Sequence, residues 1–224
     1  MTIAGAVAAT IAGEAVWLMP ERALYWPAQQ TLFVADVHLG KAATFRRAGI
    51  ALPPGSNSES LLRLSAAIGL TAATRLVVLG DLLHSVVAKN PHTLAALAEF
   101  RQSHAALELV LVRGNHDDKA GDPPPALGIH LVDEPHALGT FALCHAPQTV
   151  TGLHALAGHI HPAVQLRGKV DSARVACFWL GENTTVLPAF GAFTGTWVVT
   201  PKQGDRLYPV ADGRVFGPVV AVAR

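Results

Sequence analysis

Histidine is the residue type to account for first. The chain of 224 residues carries 11 His beside 17 Lys and Arg and 16 Asp and Glu, and imidazole is the side chain that both ligates metals and moves protons near neutral pH. Six of these His stand in an orderly series. An apolar run TLFVA leads into Asp36-Val37-His38, and RLVVLG leads into Asp81, with His84 three residues on. LELVLVRG leads into Asn115-His116-Asp117, TFALC into His145, and HALAG into His159-Ile160-His161. Each run therefore delivers metal-competent groups at its C-terminal end, where open α/β sheets place their sites. Asp36 and His38 are two residues apart, as are His159 and His161, so each pair shares one face if the extended conformation persists.

Asp36, His38, Asp81, Asn115, His145, His159 and His161 together offer oxygen and imidazole donors without a thiolate. That donor set suits Mn, Fe or Zn and argues against an iron–sulfur cluster or a structural zinc. A carboxylate such as Asp81 can bridge two ions. Two divalent ions roughly 3.5–4 Å apart activate water and clamp the oxygens of an in-line phosphoryl displacement. His116 would then be free to protonate the leaving group. Asp117 is either a cap for the turn or a direct participant. Lys41, Arg46 and Arg47 follow the first pair closely, and Arg46 and Arg47 are candidates for holding a substrate phosphate; a solvated helix face is the alternative.

The elements that must position these groups follow from the same runs. Thr31–Ala35, Arg75–Leu79, Leu107–Val112 and Thr140–Cys144 read as buried strands, and His154–Ala157 as a weaker one. Ser58–Ile68, with Leu61, Leu62, Leu64 and Ile68 apolar, reads as a helix. Pro91–His104 reads as another, with Asn90 as its cap and Pro91 at the first helical position. Beyond residue 163 the pattern is strands and turns, with hairpin-like pieces around Trp197–Thr200 and Arg206–Val210. The expected architecture is a single domain over residues 1–224, with 1–12 as a candidate flexible end.

The ordered series D-x-H, G-D, G-N-H-D, a lone His and G-H-x-H resembles the calcineurin-like metallophosphoesterase superfamily. The resemblance implies an α/β (α+β) fold, a four-layer αββα sandwich of two mixed sheets flanked by helices. It also implies one metal held by Asp36, His38, Asp81 and His161 and a second by Asp81, Asn115, His145 and His159, with Mn as the foremost ion and His116 acting on the leaving group. The phrases VADVHLGKAATFRRAGIALPPG and GDLLHS are similar to the bacterial PdeM-type, ligase-associated DNA-damage-response endonucleases. That narrower likeness implies a phosphodiesterase acting on DNA and association with DNA ligase or helicase repair proteins. One position departs from many relatives: His84 stands where an Asp orients the catalytic His, so it is a catalytic candidate without a fixed negative charge; contact with a substrate phosphate is the alternative.

Composition sets the outer bounds. Half of the residues are apolar and 15% are charged, which excludes a disordered or fibrous chain. A net charge of +1 offers no global steering toward nucleic acid, so any basic contact surface must be local. Cys144 and Cys177 form no C-x-x-C pair and read as buried thiols. The N-terminal apolar stretch lacks a basic flank and is too short to span a bilayer, and a cytoplasmic protein with no membrane association is expected. Three functions remain on this reading: a two-metal phosphodiesterase or nuclease, a phosphomonoesterase or nucleotide-diphosphate pyrophosphatase on the same site, and a non-catalytic interaction protein. The complete donor set argues against the last. His92, His104, His130, His136 and His154 have no motif around them and read as structural or surface residues.

Overall fold

A computed structural model describes residues 2–41, 44, 56–167, 172–192 and 194–220. The first sheet has seven strands in sequential order: β1 Val7–Ile11, β2 Glu14–Leu18, β3 Leu24–Trp26, β4 Thr31–Val34, β5 Arg75–Leu79, β6 Glu108–Val112 and β7 Ile129–Val132. Strands β1 to β4 pair antiparallel, and β4 to β7 run parallel. The parallel strands are continuous apolar runs because both of their faces are buried. Leu32, Val34, Leu76, Val78, Leu109 and Leu111 point into one cluster, and Phe33, Ala35, Val77, Leu79, Val110 and Val112 into the other.

Two helices cover the first of these faces. α1 spans Ser56–Thr71 and buries Leu61, Leu64, Ala67 and Ile68. Leu62 does not share that face and is 70% exposed. α2 spans Pro91–Ser103, opens with Pro91, and has the Asn90 side chain accepting from the Thr93 amide at 3.0 Å. This satisfies one of the amides a helix start leaves unpaired. The helix buries Leu97 and Phe100 against the same sheet face.

The other face packs on a second, mixed sheet of ten strands. Its members are β8 His136–Leu138, β9 Phe141–Leu143, β10 His154–Ala157, β11 Pro162–Arg167, β12 Ser172–Leu180, β13 Thr184–Val186, β14 Trp197–Val198, β15 Arg206–Ala211, β16 Arg214–Val215 and β17 Val219–Val220. Phe141, Leu143, Leu156, Phe178, Leu180 and Tyr208 meet Phe33, Val77 and Val110 between the sheets. The α+β class and the two mixed sheets are as expected.

The described helices α1 and α2 pack on the first sheet; on the second, small side chains (Ala142, Cys144, Ala155, Ala157) form a separate cluster with Val150 and Leu153. Two expectations change. Residues 7–11 form β1 rather than a loose end, because the Ala12-Gly13 turn, with φ of 49° and 83°, folds them back on β2. The segment at 197–200 is no hairpin: β14 pairs in parallel with β11, placing Trp197 beside Pro162. Both cysteines are buried and free. No helix among the described residues is long and apolar enough to cross a membrane.

Candidate metal centre

The C-terminal ends of β4, β5, β6, β9 and β10 lie side by side, and their loops carry the donors. The chain does not remain extended through the paired motifs: Asp36 and His38 have φ of 54° and 49°, and His159 and His161 have 70° and 53°. Asp81 has 55°. Left-handed backbone is costly for side chains with a Cβ and concentrates at functional sites. Here the turns fold each strand end over the sheet edge, and the pairs converge by that route instead of by strand alternation.

Hydrogen bonds from neighbouring loops hold these turns. The Asp36 amide donates to the Gly80 carbonyl at 3.2 Å, and the His38 amide donates to the Asp81 carbonyl at 2.9 Å. Asp36 Oδ2 accepts the His159 amide at 2.9 Å, and Asp81 Oδ1 accepts the His116 amide at 2.9 Å. Donors therefore cluster closely. Asp36, His38 and His161 form one group, Asp36, Asp81 and His145 a second, and His38, His84 and His116 a third, each with ligand atoms within 4.8 Å of one another. Asp81 Oδ2 lies 3.8 Å from His38 Nε2, while Oδ1 lies 3.6 Å from His145 Nε2. The carboxylate thus faces both halves of the site.

Second contacts of the imidazoles orient their lone pairs. His145 Nδ1 donates to the Leu79 carbonyl at 3.2 Å, leaving Nε2 turned toward Asn115 Oδ1 at 2.9 Å and His159 Nδ1 at 3.0 Å. His161 Nδ1 donates to the Gly195 carbonyl at 2.9 Å, leaving Nε2 3.6 Å from Asp36 Oδ1. Asp36 Oδ1 is fully buried and has no hydrogen-bond partner. A buried carboxylate oxygen without a partner is costly, and facing lone pairs repel, so this donor set fits cations. Burial, followed by the charges of Lys41 and the neighbouring imidazoles, lowers the His38 pKa to about 2, which keeps the ring in the neutral form a metal requires. Burial also lowers the His161 pKa, but the nearby carboxylate of Asp36 outweighs it, and the net shift is upward. Burial raises the Asp81 pKa against the pull of His145 and His116.

Two motif glycines are explained by close approach. A Cβ on Gly114 would lie 2.7 Å from the Asp81 amide nitrogen and nearer still to Asp81 Oδ1. One on Gly158 would lie 2.7 Å from Asp36 Oδ2. Asp117 resolves as a positioning residue. Its buried carboxylate accepts the amides of Asp81 at 2.7 Å, Leu83 at 3.1 Å and Gly114 at 3.1 Å, locking the loop after β5 onto α3, Asn115–Ala120.

All seven predicted donors, His116 and His84 come together in this cleft. His116 Nδ1 donates to the His84 carbonyl at 2.7 Å, so Nε2 is left facing the site, 4.0 Å from Asp81 Oδ2. The His84 ring stacks on His116 at 4.9 Å and 21°, with Nδ1 3.4 Å from His38 Nδ1. Burial, then Lys41 and His116, lower the His84 pKa to about 4. Lys41 is half-buried beside Asp36 and Asp81. Arg46 and Arg47 lie outside the described residues. The five His outside the motifs stay away from the cleft; His154, for example, bonds Thr185 Oγ1 at 2.9 Å inside the second sheet. One residue with no signal in the sequence is Glu134, whose Oε2 accepts the amides of His145 at 2.6 Å and Ala146 at 3.0 Å and so fixes the lone-His loop.

No family model and no curated protein matches this chain. Among solved structures, the nuclease MPE of Pseudomonas putida is 43% identical, with a TM-score of 0.84 over 94% of this chain and 98% of that one. The chain belongs to the metallophosphoesterase family. A second solved structure, the E. coli phosphoesterase YfcE, is 16% identical with a TM-score of 0.40 over 85% of this chain and 98% of its own; the overlap is too loose to carry an argument. Family membership and the clustered Asp and His donors agree on a divalent-metal centre at these strand ends.

Proposed function

We propose that the protein is a two-metal phosphodiesterase that cleaves nucleic acid. The observation that carries this is the unpartnered, buried Asp36 Oδ1 among lone pairs that all face one cleft, in a chain similar to a nuclease over nearly its whole length. In this reading Asp36, His38, Asp81 and His161 hold one ion, and Asp81, Asn115, His145 and His159 hold the other. Mn is the proposed metal, given the mixed carboxylate, amide and imidazole donors. Bound divalent ions would neutralise the phosphoryl oxygens and lower the pKa of water.

The chain's own residues supply the rest. His116 presents Nε2 to the cleft with Nδ1 committed to the His84 carbonyl, so it can deliver a proton to the leaving oxygen. His84 supports that ring by stacking and by its carbonyl, which is the work an orienting carboxylate would do elsewhere. We also propose a cytoplasmic location and association with DNA ligase or helicase repair proteins, in keeping with the PdeM-like phrases of the sequence.

The test compares bis(4-nitrophenyl) phosphate, 4-nitrophenyl phosphate, a nucleotide diphosphate and single-stranded and duplex DNA, each with Mn²⁺. Diester and DNA cleavage, lost in Asp81→Asn, is the expected result. Rapid release from the monoester or the nucleotide diphosphate with no effect on any DNA would replace this reading by that of a phosphomonoesterase or pyrophosphatase.

A further inference from the structure

The segment Gly195–Trp197 touches the metal centre twice. Its Gly195 carbonyl orients the His161 ring, and the Trp197 amide donates to the His161 carbonyl at 2.9 Å. Yet the Trp197 side chain itself is 70% exposed. Tryptophan is the largest apolar side chain and is usually well buried; the other indoles show the contrast, with Trp26 buried at 2% and bonded through Nε1 to Glu14. β14 is an edge strand, so one flank of Trp197 meets no further strand. A cation stands next to it: Arg174 donates from its guanidinium to the carbonyl of Thr196 at 3.4 Å.

We propose that Trp197 and Arg174 form a subsite for an unpaired nucleobase and its phosphate, flanking the position of the scissile bond. An exposed indole offers a flat π-surface to a base of any identity, and the guanidinium supplies local positive charge for the backbone. This also answers the near-zero net charge, since the attraction is confined to the rim of the centre. Stacking requires a base removed from a duplex, so the subsite selects a single strand over a paired one. Trp197 is a specificity-determining residue in this reading and takes no part in the chemistry.

The inference rests on the nuclease reading, and the experiment separates the two. Wild type, Trp197→Ala, Trp197→Phe and Arg174→Ala are assayed with Mn²⁺ on a single-stranded oligonucleotide, on the same oligonucleotide with abasic sites, and on bis(4-nitrophenyl) phosphate. Trp197→Ala is expected to raise KM for the oligonucleotide roughly tenfold or more, with kcat on the small diester within about twofold of wild type. Trp197→Phe restores most of the loss. Abasic substitution weakens wild type by a similar factor and adds little to Trp197→Ala, because the same stacking contact is already gone. Arg174→Ala lessens the salt dependence of KM. An unchanged oligonucleotide KM in Trp197→Ala, with the wild type cleaving DNA, overturns the subsite and leaves the nuclease reading standing. Equal loss on the small diester also overturns it, showing a structural role in holding His161. A wild type that cleaves the small diester and no nucleic acid overturns both.

Discussion

Gly114→Ala is a sharp test of how the centre is built, because the position tolerates alanine in every respect except one. Its backbone, at φ −109° and ψ 169°, is ordinary extended conformation, so no strain arises from the dihedral angles. The new methyl would sit 2.7 Å from the Asp81 amide nitrogen and 3.0 Å from His145 Cε1, and closer to Asp81 Oδ1. Ordinary carbon contacts need about 3.5 Å, so Asp81 must retreat by roughly 1 Å. Its backbone is held by Asp117 and its carboxylate by the His116 amide; the displacement therefore falls on the group placed between the two sets of donors. A misplacement of about 1 Å in a reacting assembly costs about a hundredfold in rate. Overpacking of this kind destabilises by about 1–3 kcal/mol, too little to unfold a domain of ordinary stability. The assay is kcat on bis(4-nitrophenyl) phosphate, with metal content by elemental analysis and folding by circular dichroism. A folded Gly114→Ala protein with wild-type kcat and metal content would refute the placement of Asp81 at the heart of the site.

Other perturbations test other parts. His116→Ala should retain the metal complement and lose turnover, most severely for substrates with poor leaving groups; loss of metal would contradict its role as proton donor. Asp117→Ala leaves the amides of Asp81, Leu83 and Gly114 without their acceptor. It should destabilise by about 3 kcal/mol or more, lowering Tm by roughly 6–12 °C, whereas the exposed Asp118→Ala should change stability by less than about 0.5 kcal/mol. Removing divalent metal with a chelator should lower Tm, and restoring Mn²⁺ at about a hundred times its Kd should return about 2.7 kcal/mol. That increment should be lost in Asp36→Asn; a metal-independent Tm in the wild type would count against the centre.

Much of this protein is determined by its sequence alone. The strand runs are legible because residues buried on both faces must be apolar throughout, as in Leu76, Val77, Val78 and Leu79, and the donors are legible because each run stops at a polar group that a buried strand would reject. Asn90 and Pro91 likewise mark a helix start through local hydrogen bonding. What tertiary structure decided are relations between segments distant in the chain. The left-handed turns at Asp36, His38, Asp81, His159 and His161 are imposed by hydrogen bonds from neighbouring loops, against local preference, so pattern reading extends the strands through them. Glu134 on the His145 loop, the Gly195 carbonyl on His161 and the exposure of Trp197 have no short-range signature. Residue type and spacing state which donors exist; only packing states which atoms are left facing one another without protons or partners, and that residue of unmet electrostatic demand is what defines the centre.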